Sequence, residues 1–197
     1  MLRKLNNNNS IGAILATPKY TECYSNLAKS RIIFLSEDVT KDSASSLSAM
    51  LLHYDNENDE EDINIYINTN GGDAFALSNI YDIMQLIRSP INTICIGKAY
   101  SAGACILAAG TKGKRFITKN ASVMVHGIQC EFPGHGSEDQ KGSQIYFDYL
   151  VNLNKAVLQT LATHTGKAYE QILQDCRKDN YMDAKEAIAY GIVDKII

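Results

Sequence analysis

Net charge is what this chain has least of: 19 Lys and Arg stand against 22 Asp and Glu, leaving −3 over 197 residues. Such a balance sets up no field for nucleic acid or an anionic lipid surface. Long hydrophobic runs are also missing. The apolar stretches are strand-length, which argues against a membrane span, and the N-terminus lacks the basic-then-apolar layout of a secretory signal. Cysteine is sparse and irregular. Cys23, Cys95, Cys105, Cys130 and Cys176 are odd in number and scattered without a C-x-x-C, so neither a disulfide framework nor a zinc knuckle is expected. No H-E-x-x-H or comparable spacing offers a metal site. These absences describe a soluble protein of a reducing, intracellular compartment, with no metal, nucleic acid or membrane among its expected partners.

What is present is a composition of 45% hydrophobic and 21% charged residues, enough for one domain with a real core. "MLRKLNNNNSIGAILATPK" reads as a mobile arm over residues 1–19. Order is expected from Tyr20, with a helix in "YTECYSNLAKS", a short buried strand in "RIIFL", and a helix from about Asp42 burying Leu47, Met50 and Leu51. "DNENDEED", residues 55–62 with six acidic side chains, reads as a solvated loop. No linker or second domain follows.

Two strand-turn-helix units then carry the argument. In the first, "INIYIN" alternates as a strand, "TNGGD" turns, and Ile80, Ile83, Met84 and Ile87 form a helical stripe that Pro90 stops. In the second, "INTICIG" is the strand, "KAYSAG" the turn and "ACILAAG" a short helix. Consecutive units of this kind imply right-handed crossovers on a largely parallel sheet, so both turns fall at one sheet edge.

Ser101 lies in the second turn, within A-Y-S-A-G (residues 99–103), a variant of the G-x-S-x-G elbow that holds a hydroxyl out on a tight bend. The helix start offers unpaired N–H groups suited to an oxyanion, and Gly71 and Gly72 are placed to aim another at the same point. Taken alone, either turn is more often explained by close packing of small residues where a helix meets the sheet. A nucleophilic serine needs a base, and four histidines are available. His126 ends the apolar strand "SVMVH"; His53 follows a helical stripe, His135 sits in the loop "PGHGS", and His164 ends a helix, where a cation complements the dipole. Cys105 and Cys130 are remoter nucleophiles. Asp179, in "RKDNYM", is a loop carboxylate of the kind that orients a histidine. After a capping-box-like Ser137 and Gln140, Tyr146, Leu150, Leu153, Val157 and Leu161 form one long helical stripe to about Thr163. Its apolar face exceeds what a small domain covers, which points to subunit contacts.

The strings "YINTNGGDAFALSNIYDIMQLI", "TICIGKAYSAGACILAAGTKGKRF", "SVMVH", "HTGKAYEQI" and "RKDNYMDAKEAIAYGIVDKI" together resemble the proteolytic subunits of the Clp proteases, the ClpP family, in order and from about Tyr20 onward. The intervals from Gly72 to Ser101 and from Ser101 to His126 agree with the family without gaps. The resemblance implies an α/β crotonase-like fold of repeated ββα units with a largely parallel sheet, forming one peptidase domain over 20–197 with a handle region at about 127–163. It implies Ser101 as nucleophile, His126 as base, Asp179 as orienting acid, and the N–H groups of Gly72 and Ala102 as oxyanion hole. It further implies a homo-oligomer of two stacked heptameric rings in the cytoplasm, fed with unfolded polypeptides by a Clp-type AAA+ unfoldase. ATP belongs to that partner, since nothing here resembles a P-loop, and no cofactor is expected in this chain. Tyr66, Leu86, Ile94, Ile96 and Phe116 match the family's unfoldase-docking pocket; packing against the first helix is the plainer account of the same side chains. Asn70 stands where the family has proline, Ala102 where it has methionine, and "HGIQCEFPGHGSEDQ" replaces its usual segment after the histidine. The alternatives are a catalytically silent subunit of a mixed ring and an acyl-CoA enzyme of the same fold.

Overall fold

Alternation of isoleucine with polar or aromatic residues makes Ile63–Thr69 a strand with two unlike faces, and the structure bears this out: Ile63, Ile65 and Ile67 are fully buried, while Tyr66 is half-buried on the opposite side. The computed structural model describes residues 18–129 and 140–197, so the arm up to residue 17 and the segment 130–139, which includes His135, Cys130 and Ser137, lie outside the described residues. In chain order the elements are α1 (Pro18–Lys29), β1 (Ile32–Leu35), α2 (Lys41–Glu57), β2 (Ile63–Thr69), α3 (Ala74–Leu86), β3 (Ile91–Tyr100) and α4 (Ala102–Ala108). There follow β4 (Arg115–Ile117), β5 (Ser122–Val125), α5 (Gln140–Thr165), α6 (Tyr169–Asp175), β6 (Asn180–Met182), α7 (Ala184–Tyr190) and β7 (Lys195–Ile196).

The sheet runs β1-β2-β3-β4-β7, with every pair on this path parallel. At ten residues, β3 is long enough to serve two partners: Thr93–Cys95 pairs with β4, and Lys98–Tyr100 pairs with β5. β6 then adds to β5 antiparallel, with Asn180 opposite Val125. This second tier carries the chain end of β3, the end of β5 and the start of β6 to one place.

Helices α2, α3 and α4 cover the isoleucine face of β2, and all seven residues of α4 are buried. On the other face, register lines up Phe34, Tyr66, Ile94 and Phe116 across four strands. Phe34 stacks on Tyr66 with centroids 5.4 Å apart, and Tyr24 of α1 packs on Phe34 at the same separation. The first helix thus covers one end of this row, and Ile94 is buried within it. Leu86 lies off the sheet, 71% exposed at the end of α3.

Several expectations need correction. Helix α2 extends into the acidic segment, and Met50 is only partly buried. Asp55 accepts hydrogen bonds from the N–H groups of Arg88 and Ser89, and Asp62 pairs with Lys114 at 2.6 Å, so both ends of the acidic run are tied into the fold, while Glu57, Glu60 and Glu61 are exposed as expected. The stripe on α5 is largely the chain's own core. Leu150, Val157 and Leu161 are buried within the chain, whereas Tyr146 is 48% exposed; periodicity says that a face is covered but not by what. Nor does His164 act as a cation at the end of α5. Burial and the neighbouring charges of Arg115 and Lys112 hold its imidazole below the ordinary histidine range, and the helix end is served instead by Arg115, whose Nη1 donates to the His164 carbonyl at 2.9 Å.

Arg115 is 1% exposed and grips Asp194 with Nε at 2.9 Å and Nη2 at 2.6 Å. Burial pushes the Asp194 carboxyl up, but the guanidinium and the N–H groups of Arg115 and Gly113 outweigh it and hold the carboxyl at about 2. Arg115→Ala leaves a carboxylate without its partner and is expected to cost about 3–5 kcal/mol, read as a lower urea midpoint. Because the folded carboxyl titrates below its ordinary 3.8, the pair's contribution is complete above that pH and fades as the pH falls toward about 2. The difference between parent and variant should therefore shrink over that acid window; a constant difference would assign the Arg115 effect to packing alone.

Candidate functional site

The chain leaves β3 at Tyr100 and turns into α4 through Ser101, whose φ of 54° and ψ of −120° are rare for a residue with a side chain. Neighbouring structure holds this conformation: the Ser101 N–H donates to the Met124 carbonyl of β5 at 2.8 Å, and the seven buried residues of α4 fix the far side. The result is a half-buried hydroxyl turned out of the sheet toward His126.

Beside it lies the turn after β2. Val39 donates to the Gly71 carbonyl and accepts from the Asp73 N–H, both at 2.8 Å, so the intervening Gly72 turns its own N–H away from Val39. Only glycine fits at either position. A Cβ on Gly71 would lie 2.7 Å from the Ser101 Cβ, and one on Gly72 would lie 2.2 Å from the Val39 carbonyl oxygen. Asp73 then caps α3 by accepting the Ala76 N–H at 2.8 Å. The two sequence turns therefore meet, with Ser101, Gly72 and Ala102 side by side.

His126 follows directly on β5, whose pairing with β3 sets Met124 beside Tyr100. Its Nε2 is 2.8 Å from the Ser101 Oγ. Asp179, immediately before β6, places Oδ1 3.2 Å from the His126 Nδ1, yet off the line of a hydrogen bond, so that buried nitrogen has no aligned partner among the described residues. The imidazole is 14% exposed and the carboxylate 43%.

Of the other candidates among the described residues, Cys105 lines the cavity beside Ser101 while His53 and His164 lie elsewhere. His53 sits on α2 near Glu57 at 3.5 Å, and His164 contacts the Tyr81 hydroxyl at 3.2 Å. Burial pushes the Cys105 thiol up to about 12, which removes it as a nucleophile at neutral pH. Among the described residues no His, Cys, Asp and Glu cluster is placed to hold a metal ion, and no helix is long and apolar enough to cross a membrane.

A cavity of about 410 Å³ opens onto Ser101 and His126, walled by Phe75, Leu77, Met124, Leu150, Leu153 and Val157. Three further side chains contribute, of which the sequence marks only Asn70, as the residue in place of the family's proline. Phe75 stacks on Tyr149 of α5 with centroids 5.9 Å apart, so α3 and α5 meet at the rim. Asn70 lines the cavity while accepting a bond from Lys98 Nζ at 2.6 Å. On α5, Asn154 Oδ1 accepts the Ile128 N–H at 2.8 Å, holding the chain two residues beyond His126. Nothing in the sequence separates such an asparagine from one facing solvent.

With this geometry in view, comparison with known families is decisive: residues 16–197 match the family described as Clp protease. The chain belongs to the Clp protease family. It is a ClpP-type peptidase, hence a hydrolase, and its largely parallel sheet with flanking helices is the ClpP-type fold that the resemblance implied. Members of the family generally form rings that work with AAA+ unfoldases.

Proposed function

We propose that this chain is a serine endopeptidase that cleaves unfolded polypeptides and short peptides through Ser101, His126 and Asp179. The observation that carries the reading is the 2.8 Å approach of His126 Nε2 to Ser101 Oγ at a strained elbow beside an apolar cavity. As Ser101 Oγ attacks the scissile carbonyl, its proton passes to His126 Nε2, and the Gly72 and Ala102 N–H groups receive the charge developing on the carbonyl oxygen. The proton then moves to the leaving amine, and water, deprotonated by the same imidazole, frees the acyl group from Ser101. Asp179 supplies the negative charge that the imidazolium faces.

In this reading two heptameric rings of the chain enclose the sites in the cytoplasm, and a Clp-type unfoldase supplies the ATP-driven step. Tyr66, Ile96 and Phe116, with Leu86, form the docking surface. Ile94 stands between Tyr66 and Phe116 in the same row and is the most covered of them.

A fluorophosphonate is the direct test, because a base-activated serine reacts far faster than an ordinary hydroxyl. Mass spectrometry of the labelled protein is expected to place the adduct on Ser101. An adduct elsewhere, or none, overturns the assignment.

A further inference from the structure

Downstream of His126 the chain must be held as well as upstream, and the two anchors differ in kind. Upstream, β5 is fixed by its pairing with β3 and by the Ser101 N–H bond to Met124. Downstream, Gly127 donates to the Cys176 carbonyl at 2.8 Å, and Ile128 donates to the side-chain oxygen of Asn154 at 2.8 Å. The second anchor is a single side chain, reaching across from α5. Its fit is close, since a Cβ on Gly127 would lie 3.2 Å from the Asn154 Oδ1. Gly127, Ile128 and Gln129 all face the cavity that holds Ser101, whereas Asn154 does not.

We infer that Asn154 is a positioning residue for substrate peptide, acting by fixing the Gly127–Gln129 wall of the cleft. The inference rests on the peptidase reading above. Without the acceptor, the Ile128 N–H turns to water and the wall loses its fixed distance from Ser101. The Ser101–His126 contact stays, because strand pairing holds it independently. Binding therefore weakens while the nucleophile keeps its reactivity.

Asn154→Leu, of the same branched shape but without the acceptor, is expected to raise KM for an extended peptide about three- to tenfold, the range for losing one hydrogen bond. The turnover number, and the rate at which a small fluorophosphonate labels Ser101, are expected to stay within about twofold of the parent. Asn154→Asp, which keeps a carboxylate oxygen for the Ile128 N–H, is expected to restore KM. Should the leucine variant fail to assemble, Asn154→Ala carries the same measurement. An unchanged KM in the variant lacking the acceptor overturns the inference, as does failure of the aspartate to restore it. A parallel fall in labelling and turnover also overturns it, by showing that Asn154 acts on His126 instead. A parent protein that the fluorophosphonate leaves unmodified overturns the peptidase reading itself, a result distinct from all of these.

Discussion

Replacing Ser101 with alanine is expected to lower the turnover number for peptide hydrolysis by about 10⁶ while leaving the fold intact. The two halves of this expectation have separate grounds. Among the described residues the hydroxyl's hydrogen-bond partner is His126 Nε2, and its removal leaves no buried charge behind. The backbone strain at φ 54°, worth about 1–3 kcal/mol, is the same for alanine as for serine, so the elbow neither relaxes nor collapses. The Ser101 N–H bond to Met124 belongs to the main chain and survives the substitution. What disappears is the only atom that can form the acyl intermediate, together with fluorophosphonate labelling. KM should change little, because the apolar wall of the cavity is untouched. A variant retaining more than about a hundredth of the parent's turnover number would remove Ser101 from the nucleophile's role. A large loss of thermal stability would instead show that the hydroxyl supports the elbow.

Ser101, Gly72 and His126 were legible because their surroundings are local. A strand, a turn of small residues and a helix start are written in consecutive residues, and parallel crossovers bring two such turns to one edge. The faces of β2 were legible for the same reason, since the side-chain period of two leaves no choice once Ile63, Ile65 and Ile67 are inside. Asp179 was different. Its place beside His126 depends on β6 pairing antiparallel to β5, a contact spanning some fifty residues that no local pattern announces; the loop marked it as a carboxylate able to orient a histidine, and the family resemblance tied it to His126. Helix α5 shows a further limit. The stripe through Leu150, Val157 and Leu161 was read correctly as a buried face, but the sequence could not say that the chain buries it against itself. His164 and Asn154 make the same point for polar groups. The dipole rule places a cation at the end of α5, and the structure supplies one from Arg115, far away in sequence, leaving the nearby imidazole uncharged. Asn154 matters only because the chain after His126 passes beside it.

Asp179→Asn is expected to lower the turnover number by more than tenfold but by less than the about 10⁴ seen when a buried, aligned triad carboxylate is replaced by its amide. The lower bound follows from charge. The imidazolium that forms as His126 takes the Ser101 proton faces Asp179 Oδ1 at 3.2 Å, and an amide cannot stabilise that ion as a carboxylate does. The upper bound follows from exposure and alignment. A buried asparagine can lock the histidine into the wrong tautomer by donating to Nδ1, which leaves Nε2 protonated and unable to accept from serine. Residue 179 is 43% exposed and off the hydrogen-bond line to Nδ1, so an amide there is free to turn its oxygen toward the ring. The productive tautomer then remains accessible, and the loss reflects charge alone. Single-turnover kinetics on the variant, with assembly checked by sedimentation, separate the cases. A loss below tenfold would show that His126 needs no carboxylate here. A loss of 10⁴ or more would show that Asp179 swings into line during catalysis and sets the tautomer as a buried triad acid does.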